Sequence, residues 1–135
     1  MPKNKNPLKD KEYVRNILYT CKSCPKSESV DNTKKQGSVI FEKINEILAK
    51  NTRIKNLETR GVYCLNGCLN PCNISFRARN KYTMRFSKLT LENLDDIISF
   101  ARAYSSSSDG NLKDHQIPAG LQSKISVRTP PPLIK

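Results

Sequence analysis

The sequence predicts an α/β fold in which two main helices pack on a mixed four-stranded sheet and an extended C-terminal tail follows. Alternating apolar stretches indicate strands, two segments with apolar residues at helical spacing indicate helices, and polar stretches mark both ends of the chain. These patterns divide the chain into a disordered basic tail at 1–11, a folded domain at 12–104 and a Ser/Pro-rich extension at 105–135. We expect the extension to pack on or near the domain.

The N-terminal half predicts a strand, a helix and a second strand. Residues 13–20 are rich in β-branched and aromatic side chains, which favours a buried strand. Residues 38–50 carry isoleucines at helical spacing, and Ser38 is the expected N-cap. A second strand is predicted within 52–63, where Gly61 indicates a bulge or a close approach of the backbone. A right-handed crossover through the helix would make the two strands parallel.

The C-terminal half predicts a hairpin followed by a helix. Residues 73–78 and 82–86 alternate apolar and polar side chains on either side of a short turn, so one face of the hairpin packs on the core. Residues 91–104 have apolar positions at helical spacing, and Thr90 is the expected N-cap. The stretch 117–135 predicts an extended tail or a short added strand that ends at three prolines.

Composition limits the classes of function. A formal net charge of +12 raises the question of nucleic acid, but the lysines and arginines are spread along the chain and interleaved with acids, which disfavours it. No apolar stretch approaches the length of a membrane span, and the polar N-terminus lacks a secretory signal. We therefore expect a cytoplasmic protein, and the sequence leaves open whether it forms a homodimer.

Five cysteines form two groups, each after a predicted strand. Cys21 and Cys24 lie in CKSC, and Cys64, Cys68 and Cys72 lie in CLNGCLNPC. In a reducing compartment such spacings indicate a metal site rather than disulfides. Soft thiolate ligands suit a 2Fe–2S cluster or zinc, and the spacing does not choose between them. A zinc site that only stabilises the fold is the simpler alternative.

The order strand, helix, strand, hairpin, helix is thioredoxin-like, and the cysteine motifs resemble those of the thioredoxin-like 2Fe–2S ferredoxins. The related cluster-binding subunit of respiratory NADH dehydrogenases shares this pattern, in which a C-x₃-C loop enters a hairpin. The motifs CKSC, CLNGCLNPCNISFRARNKYT and FARAYSSSSDG are still more similar to a prokaryotic family of small predicted metal-binding proteins, domain of unknown function 1636. That resemblance runs from about Tyr13 to Pro132. It implies a thioredoxin-like metal-binding domain at 12–104 and assigns no reaction.

The ferredoxin resemblance implies three of the ligands. Cys64 and Cys68 match the C-x₃-C pair, and Cys21 matches the ligand after the first strand. Those ferredoxins carry their fourth ligand near the position of Thr33, where this chain has no cysteine. The fourth ligand is therefore Cys24 or Cys72, and we favour Cys24. The fifth thiol would be spare or would exchange with a ligand.

The expected function is electron transfer by a small protein that is not an enzyme. Four basic residues of the hairpin would dock an acidic redox or metal-accepting partner: Arg77, Arg79, Lys81 and Arg85. A metal carrier would use the same ligands and release its metal. A thiol–disulfide oxidoreductase is the third alternative, because CKSC follows the first strand and Pro71 precedes the hairpin, but three further cysteines argue against it.

Overall fold

The strands of the described residues form one open sheet, and the helices follow β1 and β4 in the chain. The computed structural model describes residues 15–22, 36–50, 54–63 and 72–131. The elements are β1 (Asn16–Cys21), α1 (Gln36–Lys50), β2 (Leu57–Val62), β3 (Ile74–Ala78), β4 (Thr83–Phe86), α2 (Leu94–Ser106), α3 (Ala119–Gln122) and β5 (Ile125–Thr129). Within the described ranges, no helix is long and apolar enough to cross a membrane. The predicted tail at 1–11 lies outside them.

The sheet has the strand order β2-β1-β3-β4-β5. β1 and β2 are parallel, as a crossover through α1 requires, and the pairs β1/β3, β3/β4 and β4/β5 are antiparallel. The prediction of a mixed sheet is confirmed, but the sheet has five strands rather than four. The extra strand is β5, which the C-terminal extension contributes and which pairs with β4 just before the prolines.

Helix α1 begins two residues before its predicted cap. The prediction of Ser38 as the N-cap is wrong, because Ser38 lies inside the helix and its hydroxyl donates a hydrogen bond to the carbonyl of Lys22 at 3.2 Å. That bond fixes the start of α1 against the end of β1. The helical spacing is confirmed, since Ile40 and Ile44 are fully buried.

Four aromatic side chains form the centre of the core between the sheet and α2. The ring of Phe76 lies 4.9 Å from that of Phe100 and 5.4 Å from that of Tyr104, measured between centroids. The ring of Phe86 also lies 4.9 Å from that of Phe100. All four are fully buried, and truncating such a side chain typically costs about 3–5 kcal/mol. These contacts hold α2 on the β3–β4 hairpin.

The predicted cap Thr90 caps the 3₁₀ turn that precedes α2, rather than α2 itself. The hydroxyl of Thr90 accepts a hydrogen bond from the N–H of Glu92 at 3.2 Å, and the N–H of Thr90 donates to Oδ1 of Asn93 at 2.9 Å. This reciprocal arrangement starts a 3₁₀ turn that leads into the helix. Asp95 and Asp96 follow in the first turn, where the helix dipole favours negative charge.

The residues after α2 extend the same core. Leu112, Ile117 and Leu121 are buried in it. Gly110 has a φ of +71° and packs against the ring of Tyr104, in a conformation that glycine adopts without strain. The guanidinium of Arg128 donates to the carbonyl of Leu112 at 3.1 Å, which ties β5 to this segment.

Tyr104 is expected to make the domain sensitive to alkali. Its hydroxyl donates a hydrogen bond to the carbonyl of Tyr82 at 2.5 Å, and burial raises the pKa of Tyr104 above its ordinary value. A group whose pKa is higher in the folded state stabilises fully below its unfolded pKa, and that contribution is lost as the pH rises further. Relative to Tyr104→Phe, we expect the free energy of unfolding to fall by about 1.4 kcal/mol per pH unit above about pH 10.

Urea unfolding of the two proteins between about pH 9 and 11 measures this difference. Burial also lowers the pKa of Lys81, which acts in the opposite direction over the same range. Both proteins carry Lys81, so the comparison removes most of its contribution. A stability difference that stays constant with pH would show that Tyr104 does not titrate differently in the folded state.

Candidate metal-binding end of the sheet

The segments that flank the cysteine-bearing loops lie side by side at one end of the sheet. The N–H of Lys22 donates to the carbonyl of Val62 at 2.7 Å, which joins the end of β1 to the end of β2. The N–H of Cys21 donates to the carbonyl of Asn73 at 3.0 Å, which joins β1 to the start of β3. We call residues 21–22, 62–63 and 72–73 the cysteine end. Residues 64–71 connect two of its strands, and residues 23–35 follow the third.

Cys21 is the last residue of β1 and is buried, with 2% of its surface exposed. Its thiol donates a hydrogen bond to the carbonyl of Tyr63 at 3.6 Å. The next side chain, Lys22, reaches towards α1, where its Nζ lies 5.5 Å from the ring centroid of Phe41. Because side chains alternate along a strand, Cys21 is in phase with the face of the sheet opposite α1.

Cys72 lies two residues before β3 and is also 2% exposed. Its backbone pairs with Leu89, whose N–H donates to the Cys72 carbonyl at 3.1 Å. Cys72 precedes Ile74 by two residues and is therefore in phase with the core-facing side of the strand. The structure places it in the hydrophobic core, as this phase predicts.

Cys24, Cys64 and Cys68 lie outside the described residues. Cys64 directly follows Tyr63, so covalent geometry keeps their Cα atoms about 3.8 Å apart. Cys24 is the second residue after Lys22. Within the described ranges, no group of three His, Cys, Asp or Glu side chains is arranged to hold a metal ion. The ligand set therefore remains a prediction, although the described residues bring both loop origins together.

Gly61 allows the end of β2 to approach α1 closely. A Cβ at this position would lie 3.3 Å from the ring of Phe41 and would overlap the side chain of Lys22. Gly61 pairs regularly with Thr20 in the ladder, so of the two expectations the close approach is confirmed and the bulge is not.

Sequence reasoning missed the polar side chains at the cysteine end. Asn73 is fully buried, and its Oδ1 accepts a hydrogen bond from the hydroxyl of Ser87 at 2.6 Å. Thr20 is buried, and its hydroxyl has no hydrogen-bond partner among the described residues. No pattern identified either residue, since polar residues at strand ends are usually solvated.

The predicted docking residues divide into two groups. Arg77 and Arg79 are exposed and Arg85 is half-buried, so these three guanidinium groups are open to solvent to different degrees. The structure instead places Lys81 in the interior, with 4% of its surface exposed. Its ammonium group is enclosed by the domain, so it cannot contact a protein partner in this conformation.

Lys81 connects three elements from inside the fold. Its Nζ donates to Oδ1 of Asn16 at 2.7 Å and to the carbonyl of Tyr104 at 2.8 Å, and lies 4.9 Å from the centroid of the Tyr104 ring. Asn16 in turn donates to the carbonyl of Asn56 at 3.0 Å. Burial lowers the pKa of Lys81, and Asp109 partly opposes that shift. This network stabilises the end of the sheet opposite the cysteines.

Lys81→Met is expected to destabilise the domain by about 2 kcal/mol, because it leaves the acceptors on Asn16 and Tyr104 without their donor. Arg79→Met is the matched control, since Arg79 lies in the same turn and is exposed. We expect the control to change stability by less than about 0.5 kcal/mol. Urea unfolding measures both, and equal stability of the two variants would contradict the structural role of Lys81.

One protein-family model matches most of this chain. Residues 18–131 match the model of the family described as "Protein of unknown function (DUF1636)". That range contains all five cysteines. No curated protein and no solved structure matches the chain at a significant level. The family description names no activity, so the function is argued from the cysteines and the geometry around them.

Proposed function

We propose that this chain, which belongs to the DUF1636 family of proteins of unknown function, holds a metal centre on cysteine thiolates at the cysteine end and serves in electron transfer. The observation that carries the proposal is the pair of backbone hydrogen bonds at this end. They join β1 to β2 at 2.7 Å and β1 to β3 at 3.0 Å. Two cysteine-rich loops therefore originate from adjacent strands, as a shared site requires.

The proposed ligands are Cys21, Cys24, Cys64 and Cys68. Cys21 is buried at the end of a paired strand, which would hold one thiolate in a fixed position. The other three lie in the two loops, and the short chain distances from Lys22 and Tyr63 limit how far Cys24 and Cys64 can be from it. Four thiolates are a complete set for zinc or for a 2Fe–2S centre.

We further propose that the fold is thioredoxin-like. The described elements follow the order strand, helix, strand, hairpin, helix, and this order supports the proposal. The central position of β1 between a parallel and an antiparallel neighbour is compatible with it. The fifth strand is an addition from the C-terminal extension.

A 2Fe–2S centre is the group we favour, and when bound it would supply a one-electron couple. The chain would contribute the four thiolates, a largely buried strand end that limits access of water to Cys21, and the positive charge of Lys22, the residue that follows Cys21. Its partner would be an acidic redox protein.

A metal carrier is the second candidate, and Cys72 is the observation that favours it. This fifth thiol lies buried at the same end of the sheet as Cys21. A fifth thiol near a metal site permits ligand exchange, which a carrier needs in order to pass its metal to an accepting protein. A zinc site that only stabilises the fold uses the same ligands.

Anaerobic purification tests these proposals. Iron, zinc and acid-labile sulfide are quantified, and a visible absorption spectrum is recorded. We expect a coloured protein with equal amounts of iron and sulfide. Stoichiometric zinc without colour would replace the cluster with a zinc site and would exclude electron transfer. A protein that binds neither metal would refute the metal centre.

A further inference from the structure

One face of the sheet is not covered by a helix in the described part of the chain. Helix α2 packs on the face that carries Phe76, and α1 contacts the same face, because Asn45 accepts a hydrogen bond from Thr59, the ladder partner of Leu18. The opposite face carries the alternate residues of each strand. We call the centre of that face the open face; its residues are Ile17, Tyr19, Ser75, Arg77, Arg85 and Val127.

Ladder register places apolar and basic side chains of the open face next to each other. Tyr19 pairs with Ser75, Ser75 with Arg85, and Arg85 with Val127, so these four form one row across the sheet. Ser75 is small and only 6% exposed, so the surface is lower at the centre of the row. Val127, at the end of the row, is 36% exposed. The next row pairs Ile17 with Arg77. Tyrosine and arginine around an apolar centre are typical of protein interfaces.

Some arginines on this side of the sheet form ion pairs with a carboxylate, and others do not. Beside the open face, Glu58 forms ion pairs with Arg15 at 3.6 Å and with Arg60 at 2.7 Å. The hydrogen bond from Arg60 holds the pKa of Glu58 below its usual value, so this carboxylate stays charged. Arg77 and Arg85 have no carboxylate partner in the described ranges. Uncompensated positive charge is therefore concentrated on β3 and β4.

We infer that the open face docks an acidic protein surface whose carboxylates pair with Arg77 and Arg85 while its apolar side chains cover Ile17, Tyr19 and Val127. Cys21 and Val62 continue the same face towards the cysteine end, so a docked partner would lie beside the metal centre. The position of the partner beside a metal centre rests on the proposed function, whereas the docking surface does not. This docking surface is larger than the predicted one, because it includes residues of β1 and β5 as well as the hairpin.

Single-stranded nucleic acid fits this face less well. Proteins that bind it without sequence preference stack successive bases on several aromatic rings. Among the described residues, Tyr19 contributes the one aromatic ring of the open face. Nucleic acid is therefore the competing occupant in the experiment below.

The first experiment maps binding on the intact chain. The isotope-labelled protein is titrated at low ionic strength with a peptide of alternating glutamate and leucine, and amide chemical shifts are followed. We expect the changes to concentrate at Ile17, Tyr19, Arg77 and Val127 and to shrink as salt is added. Changes concentrated on α1 or α2 would overturn the assignment of the face.

The second experiment compares variants with the same net charge. Arg77→Gln/Arg85→Gln removes two charges from the open face, and Lys50→Gln/Arg102→Gln removes two from exposed positions on the helices. We expect the first pair to weaken peptide binding by about five- to tenfold and the second by less than about twofold. Equal weakening would mean that binding follows net charge alone, which would overturn the proposal.

An oligothymidylate with the same net charge as the peptide forms the third arm. Weaker binding than the peptide supports a protein partner. Tighter binding that is lost in Arg77→Gln/Arg85→Gln would reassign the face to nucleic acid and overturn the proposal. Metal content is measured on the same samples, so a failure of the metal site is read separately from a failure of docking.

Discussion

Cys64→Ser and Cys68→Ser are each expected to abolish metal binding and to destabilise the domain markedly. Serine offers no thiolate, and a site with four ligands loses most of its affinity when one is removed. The apparent free energy of metal binding in small thiolate sites is on the order of 10 kcal/mol, comparable to the whole stability of a domain. The measurements are metal content after anaerobic purification and the thermal unfolding midpoint.

Tyr63→Ser is the matched control for these variants. Tyr63 directly precedes Cys64 and is 84% exposed, so its replacement alters the same part of the chain without removing a thiol or a core contact. We expect this variant to retain its metal and its unfolding midpoint. Full metal content in both cysteine variants would refute the assignment of the C-x₃-C pair as ligands.

Periodicity predicted the elements whose apolar side chains face a single core. The hairpin follows from alternation, because Phe76 and Phe86 are fully buried while Arg77 between them in sequence is exposed. Helix α1 follows from the spacing of Ile40 and Ile44. In these segments the buried side chains recur at the period of a strand or of a helix, so the sequence alone predicts the element.

Features that depend on distant partners were missed or placed wrongly. Ser38 resembles a cap, but its hydroxyl bonds to Lys22 of another element. Lys81 has the sequence context of a solvated turn residue, and its burial depends on acceptors from Asn16 and Tyr104. Strand β5 forms because the edge of β4 is available to it, which local sequence does not reveal.

For the candidate site, the sequence predicted that the two cysteine-bearing loops begin at one end of the sheet, but it did not predict the polar residues at that end. Placing each cysteine group after a strand brought the loop origins to one end of the sheet, because parallel neighbours end together. The described geometry agrees for β1 and β2. The hydrogen bond between Ser87 and the buried Asn73 had no sequence signal, since it joins the residue before β3 to the residue after β4.

The choice of the fourth ligand decides whether the centre is shared evenly by both loops. Cys72 is in phase with Ile74 on the core side of β3, and its backbone is held by Leu89. Cys21 is in phase with the opposite face, because Lys22 reaches towards α1. Both thiols are buried in the same core, but they approach the cysteine end from different faces of the sheet, so we favour Cys24, which follows Cys21 by three residues in the chain.

We therefore expect Cys24→Ser to lose or alter the visible absorption spectrum and Cys72→Ser to keep it. Cys72→Ser should still lower stability by about 1–2 kcal/mol, because it places a hydroxyl in the hydrophobic core. Cys72→Ala separates the two effects, since it removes the thiol without burying a polar group. If Cys72→Ala loses the spectrum and Cys24→Ser keeps it, then Cys72 is the ligand, Cys24 is the spare thiol, and Cys72, two residues before β3, must turn out of the core when the metal binds.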